Sequence, residues 1–229
     1  MNVFHGSKKH FFIILAVFTA IVCAFVGIVW WCGRAYARVT LPQKYWLLVR
    51  DCEDSTAAAI IGNTYLSGGA GYLIETGGKQ SVVIACYYSE VSAESVRRSM
   101  EGKGIETHIV KRAPSDFTLS GNSSSYKERI IENAETADTC AKILYDTANN
   151  LERTAISQEE ARAAVRGVVS SLHGLQEGNT DRCFSQWNTA LLLAERKGIE
   201  IANGIIFAKD LRYLQVQLCI SISNTGDYF

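Results

Sequence analysis

An uncharged, strongly apolar run near the amino terminus constrains this chain more than any other feature of its sequence. Residues 11–32 form 22 consecutive positions without a charged side chain. As a helix they would be roughly 33 Å long, at about 1.5 Å per residue, and the hydrocarbon core of a bilayer is about 30 Å thick. Trp30 and Trp31 stand where interfacial aromatic residues would lie. The run therefore predicts a transmembrane helix over residues 11–32, after a short tail of residues 1–10.

A cleaved signal peptide is the alternative for this segment. Residues 35–37 read Ala-Tyr-Ala and match an A-x-A cleavage pattern, but the apolar run exceeds the usual length of about 7–15 residues. Lys8 and Lys9 precede the run, and Arg34 and Arg38 follow it. Because basic residues flank both ends, they indicate the orientation only weakly. We expect an uncleaved anchor with the soluble part on the extracytoplasmic side, and a cytoplasmic-facing orientation stays open.

Charge and cysteine content exclude several classes of protein. The 229 residues include 23 basic and 23 acidic side chains, so the basic excess of a nucleic-acid-binding protein is missing and we expect no nucleic-acid partner. Five of the seven cysteines lie beyond the apolar run, without C-x-x-C spacing: Cys52, Cys86, Cys140, Cys183 and Cys219. This spacing favours neither a zinc site nor a disulfide framework. We expect reduced, packed thiols, and a bridge between Cys52 and Cys86 remains open.

The region between the two prolines, residues 43–113, alternates strand and helix patterns. Gly77 and Gly78 have the composition of a tight hairpin turn. The predicted elements are strands at 45–50, 71–76, 81–87 and 105–111, and helices at 55–66 and 92–101. Their β-α-β-β-α-β order is that of the ferredoxin-like, split βαβ arrangement. In that arrangement both helices cover one face of the sheet and the other face stays open.

The remainder of the chain changes to a helical pattern. Residues 114–125 are rich in Ser, Gly and Asn and predict a polar linker. Residues 126–225 carry apolar positions at helical spacing and a capping box at Ser157 and Glu160. The predicted fold class is α+β, comprising a transmembrane helix, a ferredoxin-like domain and a C-terminal helical bundle. The alanine-rich seam of residues 130–151 permits either burial within the chain or self-association.

No pattern in the sequence indicates catalysis. The two histidines beyond the apolar run, His108 and His173, lie far apart and lack carboxylates at ligand spacing. The chain has neither a G-x-S-x-G nor an H-E-x-x-H motif. Residues 73–80 resemble a phosphate-binding loop but lack its first glycine and its final Ser or Thr. We expect a non-enzymatic protein with no catalytic residues, no metal site and no cofactor.

The segment 43–113 resembles a SPOR (sporulation-related repeat) domain. Each of its halves has an apolar strand followed by a polar helix start, at residues 46–55 and again at residues 82–93. The resemblance covers about a third of the chain. It implies binding of bacterial peptidoglycan, with a preference for glycan strands stripped of their stem peptides. It also implies a protein located at the bacterial cell membrane, at the division septum or at engulfing membranes.

Strand alternation predicts which side chains the two faces of the sheet would carry. The face covered by helices would hold Leu47, Val49, Val82, Ile84 and Ile109. The open face would hold the six candidate glycan-binding residues: Trp46, Leu48, Arg50, Val83, Tyr87 and His108. Aromatic rings beside an arginine suit a sugar or peptide, because ring faces stack on the apolar faces of sugars. The alternative is that the C-terminal helices or a partner cover this face, so that the six residues belong to a core.

Three functional hypotheses follow from the sequence, the third of which is a regulatory subunit that faces the cytoplasm. The first is a single-pass membrane protein that binds denuded peptidoglycan strands in division or sporulation. The second is a non-catalytic structural or assembly protein whose ferredoxin-like and helical domains bind other proteins. Burial of Trp46, Leu48 and Tyr87 by the C-terminal helices would count against glycan binding on the open face.

Overall fold

The computed structural model describes residues 17–27, 36–52, 56 and 69–229. Residues 17–27 are helical. Within the described ranges, no helix is both long enough and apolar enough to cross a membrane. The prediction of a transmembrane helix over residues 11–32 is therefore wrong for the described part of that segment. Residues 11–16 and 28–32 of the segment lie outside the described residues.

The described elements comprise six strands, six α-helices and the two 3-10 helices Gly121–Tyr126 and Arg182–Phe184, besides the helical residues 17–27. The strands are β1 (Tyr36–Val39), β2 (Tyr45–Asp51), β3 (Tyr72–Thr76), β4 (Lys79–Tyr87), β5 (His108–Arg112) and β6 (Phe117–Ser120). The helices are α1 (Glu90–Glu101), α2 (Lys127–Glu152), α3 (Gln158–Gly178), α4 (Ser185–Asn203), α5 (Ala208–Ser223) and α6 (Thr225–Tyr228).

The chain forms two compact units. The first draws on Met1–Val39 and Thr118–Lys127, and in it β1 and β6 form a two-stranded sheet. A 3-10 helix, Gly121–Tyr126, follows β6. The sequence predicted residues 114–125 as an irregular linker, whereas β6 and this 3-10 helix occupy most of that range. The second unit contains Thr40–Phe117 and Glu128–Phe229.

A four-stranded sheet forms one layer of the second unit. Its strand order is β3-β4-β2-β5, and every neighbouring pair is antiparallel. Gly77 and Gly78, with φ of 59° and 78°, form the turn between β3 and β4, because the left-handed region favours glycine. The four strands lie close to the positions that the apolar alternation predicted. The helix predicted over residues 55–66 lies outside the described residues, apart from Thr56.

Helices cover both faces of this sheet. On one face, α1 packs on β2, β4 and β5 with Ala93 fully buried. On the other face, the Tyr45 hydroxyl donates a hydrogen bond of 2.8 Å to Asp138 of α2. There too, Gln215 of α5 donates through Nε2 to the carbonyl oxygen of Cys86 at 3.2 Å. The predicted ferredoxin-like domain with an open face, followed by a separate bundle, is therefore wrong: the sheet and C-terminal helices form one unit.

Consecutive apolar residues in the central strand explain this enclosure. Leu47, Leu48 and Val49 of β2 are all fully buried, and neighbouring residues in a strand point to opposite faces. A strand that is apolar on both sides needs cover on both sides. If one face of the sheet were open, as predicted, either Leu48 or its neighbours Leu47 and Val49 would be exposed to water.

The helical part follows the apolar periodicity more closely. The predicted capping box opens α3, where the Glu160 amide donates to Ser157 Oγ at 3.2 Å and the Ser157 amide donates to Glu160 Oε2 at 2.8 Å. Helices α3 and α4 pack together, as do α4 and α5. Gly198 permits close contact between α3 and α4, because a Cβ added there would lie 2.7 Å from Val169 Cγ2.

Candidate functional site

The six residues predicted for the open face differ in their exposure. Leu48 and Val83 are 0% exposed, so neither side chain can contact a ligand in this structure. Trp46, Arg50 and Tyr87 are half-buried, and His108 is exposed. A ligand-binding surface can therefore use only four of the six.

Strand register separates these residues between the two faces. Val83 and His108 are both register partners of Val49, which lies on the face opposite to Trp46 and Leu48. The β2–β4 register shifts between Leu48 and Val49. A β-bulge of this kind exchanges the faces of all residues beyond it. The prediction that all six residues lie on one face of the sheet is therefore wrong.

Trp46 lies where two surface grooves meet. The α1 groove, between α1 and β5, has a volume of about 530 Å³. The α2 groove, between the start of β2 and α2, has a volume of about 560 Å³. The α1 groove is lined by Trp46, Glu90, Glu94, Arg97, Thr107, His108, Ile109 and Lys111. The α2 groove is lined by Pro42, Gln43, Lys44, Trp46, Tyr88, Glu135, Asp138, Thr139 and Lys142.

Ion pairs on α1 form one wall of the α1 groove. Arg97 donates to both carboxylate oxygens of Glu94, at 2.8 and 2.7 Å, and also to Glu101. Hydrogen bonds from Arg97 and Arg98 lower the pKa of Glu94 to about 2. On the opposite wall Lys111 is exposed and is the register partner of Trp46. The groove thus combines an aromatic side chain with charges of both signs.

A buried carboxylate anchors the α2 groove. Asp138 accepts a hydrogen bond from the Tyr45 hydroxyl at 2.8 Å, and its other oxygen lies 2.6 Å from Lys142 Nζ. Lys142 Nζ also lies 5.4 Å from the centroid of the Tyr88 ring, within cation–π range. The groove wall is thereby tied to the sheet by interactions that sequence analysis did not find. In the sequence, burial of this carboxylate was indicated only by the position of Asp138 next to the apolar residues along α2.

Each groove contains a buried polar side chain without a hydrogen-bond partner among the described residues. In the α2 groove this atom is Oε1 of Gln43, a residue that is 8% exposed. In the α1 groove it is Oγ1 of Thr107, a residue that is 6% exposed. Buried polar groups are normally hydrogen-bonded, but both atoms are almost completely inaccessible, so a ligand in either groove does not contact them in this structure.

Tyr87 is the register partner of Trp46 on β4, but its side chain also interacts with α2 and α5. Burial, together with Tyr145 of α2, raises the pKa of Tyr87 to about 12, and the Arg212 guanidinium of α5 opposes this rise. Arg212 itself is hydrogen-bonded to Glu152 and to Asn149 Oδ1. Neither groove at Trp46 is lined by Tyr87. Of the six predicted residues, the structure brings together only Trp46 and His108 in one groove.

The cysteine bridge that the sequence left open is ruled out by the strand register. The Cys52 amide donates to the carbonyl oxygen of Gln80 at 2.9 Å, and Cys86 lies six residues farther along β4. At about 3.3 Å per residue this separation is roughly 20 Å, far beyond the reach of a disulfide. Cys86 lies instead beside Cys219 of α5, and burial together with this neighbour raises the pKa of the Cys219 thiol.

A second buried carboxylate lies between α3 and α4. Glu195 accepts from Gln176 Nε2 at 2.6 Å and lies 3.1 Å from Nδ1 of His173. His173 itself is exposed on the surface of α3 and contacts this buried carboxylate from outside. Within the described ranges, no group of three or more His, Cys, Asp or Glu side chains could hold a metal ion.

One buried and two half-buried tyrosines predict that the protein is destabilised by alkali. Burial raises the pKa of Tyr45, Tyr87 and Tyr88 above the ordinary value, which is about 10. The unfolded chain therefore loses these protons before the folded chain does, and the free energy of unfolding falls as pH rises from about 10 to about 12. Urea unfolding at a series of pH values, with tyrosinate absorbance, measures this. A Tyr45→Phe variant should show a shallower decline, and a flat profile in the native chain would contradict the prediction.

Comparison with known proteins adds no relative. No family model, no curated protein and no solved structure matches the chain.

Proposed function

We propose that this protein is a non-enzymatic binder of peptidoglycan glycan strands, and that the surface around Trp46 binds the glycan. One observation carries the proposal: the half-buried indole of Trp46 lines two surface grooves at once, beside exposed charged side chains. The resemblance of residues 43–113 to SPOR domains supports the same ligand. The role places the sheet and helices on the wall side of the membrane, where amidases act in division or sporulation.

The chemistry of the two grooves suits a sugar chain. An indole ring gives an apolar surface for stacking, and it also contributes a large share of contact energy in a small area. Sugar hydroxyl and acetamido groups can donate to the exposed carboxylate of Glu90 in the α1 groove and to the exposed hydroxyl oxygen of Thr139 in the α2 groove. Because the grooves meet at Trp46, a ligand with several rings could occupy both. The binding surface is therefore the sheet margin at Trp46, since helices cover both sheet faces.

Truncation of Trp46 tests this function directly. Full-length chain is sedimented with isolated bacterial sacculi, before and after an amidase has removed the stem peptides. We expect Trp46→Ala to weaken binding by at least about tenfold, because removal of a central aromatic anchor typically costs about 2 kcal/mol or more. Phe207→Ala is the matched control, since it removes an exposed aromatic ring from the connection between α4 and α5. Equal binding by native chain and Trp46→Ala would contradict the proposal.

The second candidate function is a structural or assembly protein that binds other proteins. Its supporting observation is the pair of exposed apolar side chains Ile205 and Phe207 between α4 and α5, because exposed apolar groups can form a contact with a partner. The same two variants separate the candidates. No sacculus binding by the native chain, with self-association that Phe207→Ala abolishes, would favour assembly over glycan binding.

A further inference from the structure

Lys111 occupies a specific position beside the proposed glycan anchor. It pairs directly with Trp46 in the antiparallel β2–β5 register, so the two side chains lie on the same face of the sheet. Direct partners have Cβ atoms about 4.5–5.5 Å apart. Both residues line the α1 groove, and Lys111 is exposed. A group bound beside the indole ring is therefore within reach of the Lys111 ammonium.

The other basic side chains of the α1 groove already have acidic neighbours. Arg97 is hydrogen-bonded to Glu94 and Glu101, and His108 Nε2 lies 3.8 Å from Asp51 Oδ1. Lys111 has no ion-pair partner among the described residues. Glu90 supplies a carboxylate at the other wall. The groove therefore offers one uncommitted ammonium group together with an acceptor for hydroxyl or amide donors.

We propose that Lys111 binds a carboxylate of the glycan, and that this carboxylate is the lactyl group of muramic acid. The inference rests on the proposed function and gives it a chemical basis for selecting denuded strands. In an intact strand the lactyl carboxyl forms an uncharged amide with the stem peptide. An amidase hydrolyses that amide and leaves a carboxylate attached to the sugar ring. Only the denuded strand thus places a negative charge directly beside a ring stacked on Trp46.

Three glycan preparations test the proposal with full-length chain: intact sacculi, amidase-treated sacculi, and amidase-treated sacculi whose carboxylates have been converted to neutral amides with carbodiimide and ethanolamine. We expect the native chain to bind the second preparation best. Lys111→Gln should reduce that binding about tenfold, because a hydrogen bond to a charged group contributes on the order of this factor. Lys103→Gln is the matched control, since Lys103 is exposed and lies outside the groove.

The outcomes separate this inference from the function on which it rests. Equal affinity of Lys111→Gln and native chain for amidase-treated sacculi would overturn the inference, while binding itself would persist. Equal affinity of native chain for the carboxylate and amide preparations would overturn it as well. Binding of native chain to none of the three preparations would overturn the proposed function first. A loss confined to Lys111→Gln and to the carboxylate preparation supports the proposal.

Discussion

Replacement of Leu48 by alanine is expected to lower the free energy of unfolding by about 3 kcal/mol, within the range of roughly 2–5 kcal/mol for large-to-small changes in a core. Leu48 is fully buried in β2, an interior strand of the sheet. Its register partners are Ala85 on β4 and Ile109 on β5. Truncation leaves a cavity beneath α1 that a small alanine partner cannot fill, so both transfer energy and packing are lost.

Urea unfolding followed by circular dichroism measures this effect. Leu73→Ala is the matched control, since Leu73 is exposed on the edge strand β3, and we expect a change below about 1 kcal/mol. The folded fraction of Leu48→Ala should bind sacculi as the native chain does. A stable Leu48→Ala protein that has lost glycan binding would show instead that Leu48 contacts the ligand, as the sequence first suggested.

Replacement of Asp138 by alanine is expected to lower the free energy of unfolding by about 2 kcal/mol. The change leaves the Tyr45 hydroxyl without its acceptor, and an unsatisfied buried polar group costs about 1–3 kcal/mol. Tyr45 is fully buried, and Asp138 is the acceptor of its hydroxyl. Lys142 adds little to this loss, because its half-exposed side chain can return to solvent. The substitution also removes one wall of the α2 groove.

A double-mutant cycle identifies the origin of this loss. Asp146→Ala on the exposed side of the same helix should change stability by less than about 0.5 kcal/mol. In a Tyr45→Phe background, Asp138→Ala should lose less stability than in the native chain, because the hydroxyl that needs an acceptor is gone. Additive effects of the two substitutions would contradict a direct Tyr45–Asp138 interaction.

Elements with a strong local signal could be predicted from the sequence. The apolar runs of β2 and β4 and the Gly77–Gly78 turn located the strands. The capping box at Ser157 marked the start of α3, and its two reciprocal hydrogen bonds are present. These features depend on residues within a few positions of each other, so they can be recognised from the local sequence alone.

The candidate site could be predicted only in part, because it depends on contacts between distant segments. Trp46 and His108 were predicted and line the α1 groove. The bulge between β2 and β4 has no sequence signal, and it moved Val83 to the opposite face. Gln43 and Asp138 line the same groove although they are about 95 residues apart in the sequence. Periodicity along one segment does not reveal which distant segment will meet it.

The sequence by itself determined where the strands of the four-stranded sheet and the C-terminal helices form, and which of their side chains must be buried. Alternation and helical spacing determine these properties from neighbouring residues. Only the tertiary structure decided what covers these side chains: α1 lies on one face of the sheet, and the C-terminal helices lie on the other. The hydrophobic effect is not directional. The sequence therefore indicates that Leu47 and Leu48 are buried, but it does not indicate which helices pack against them. Strand register, the β-bulge and long-range hydrogen bonds determine which segments pack together, and as a result Trp46 lines two grooves.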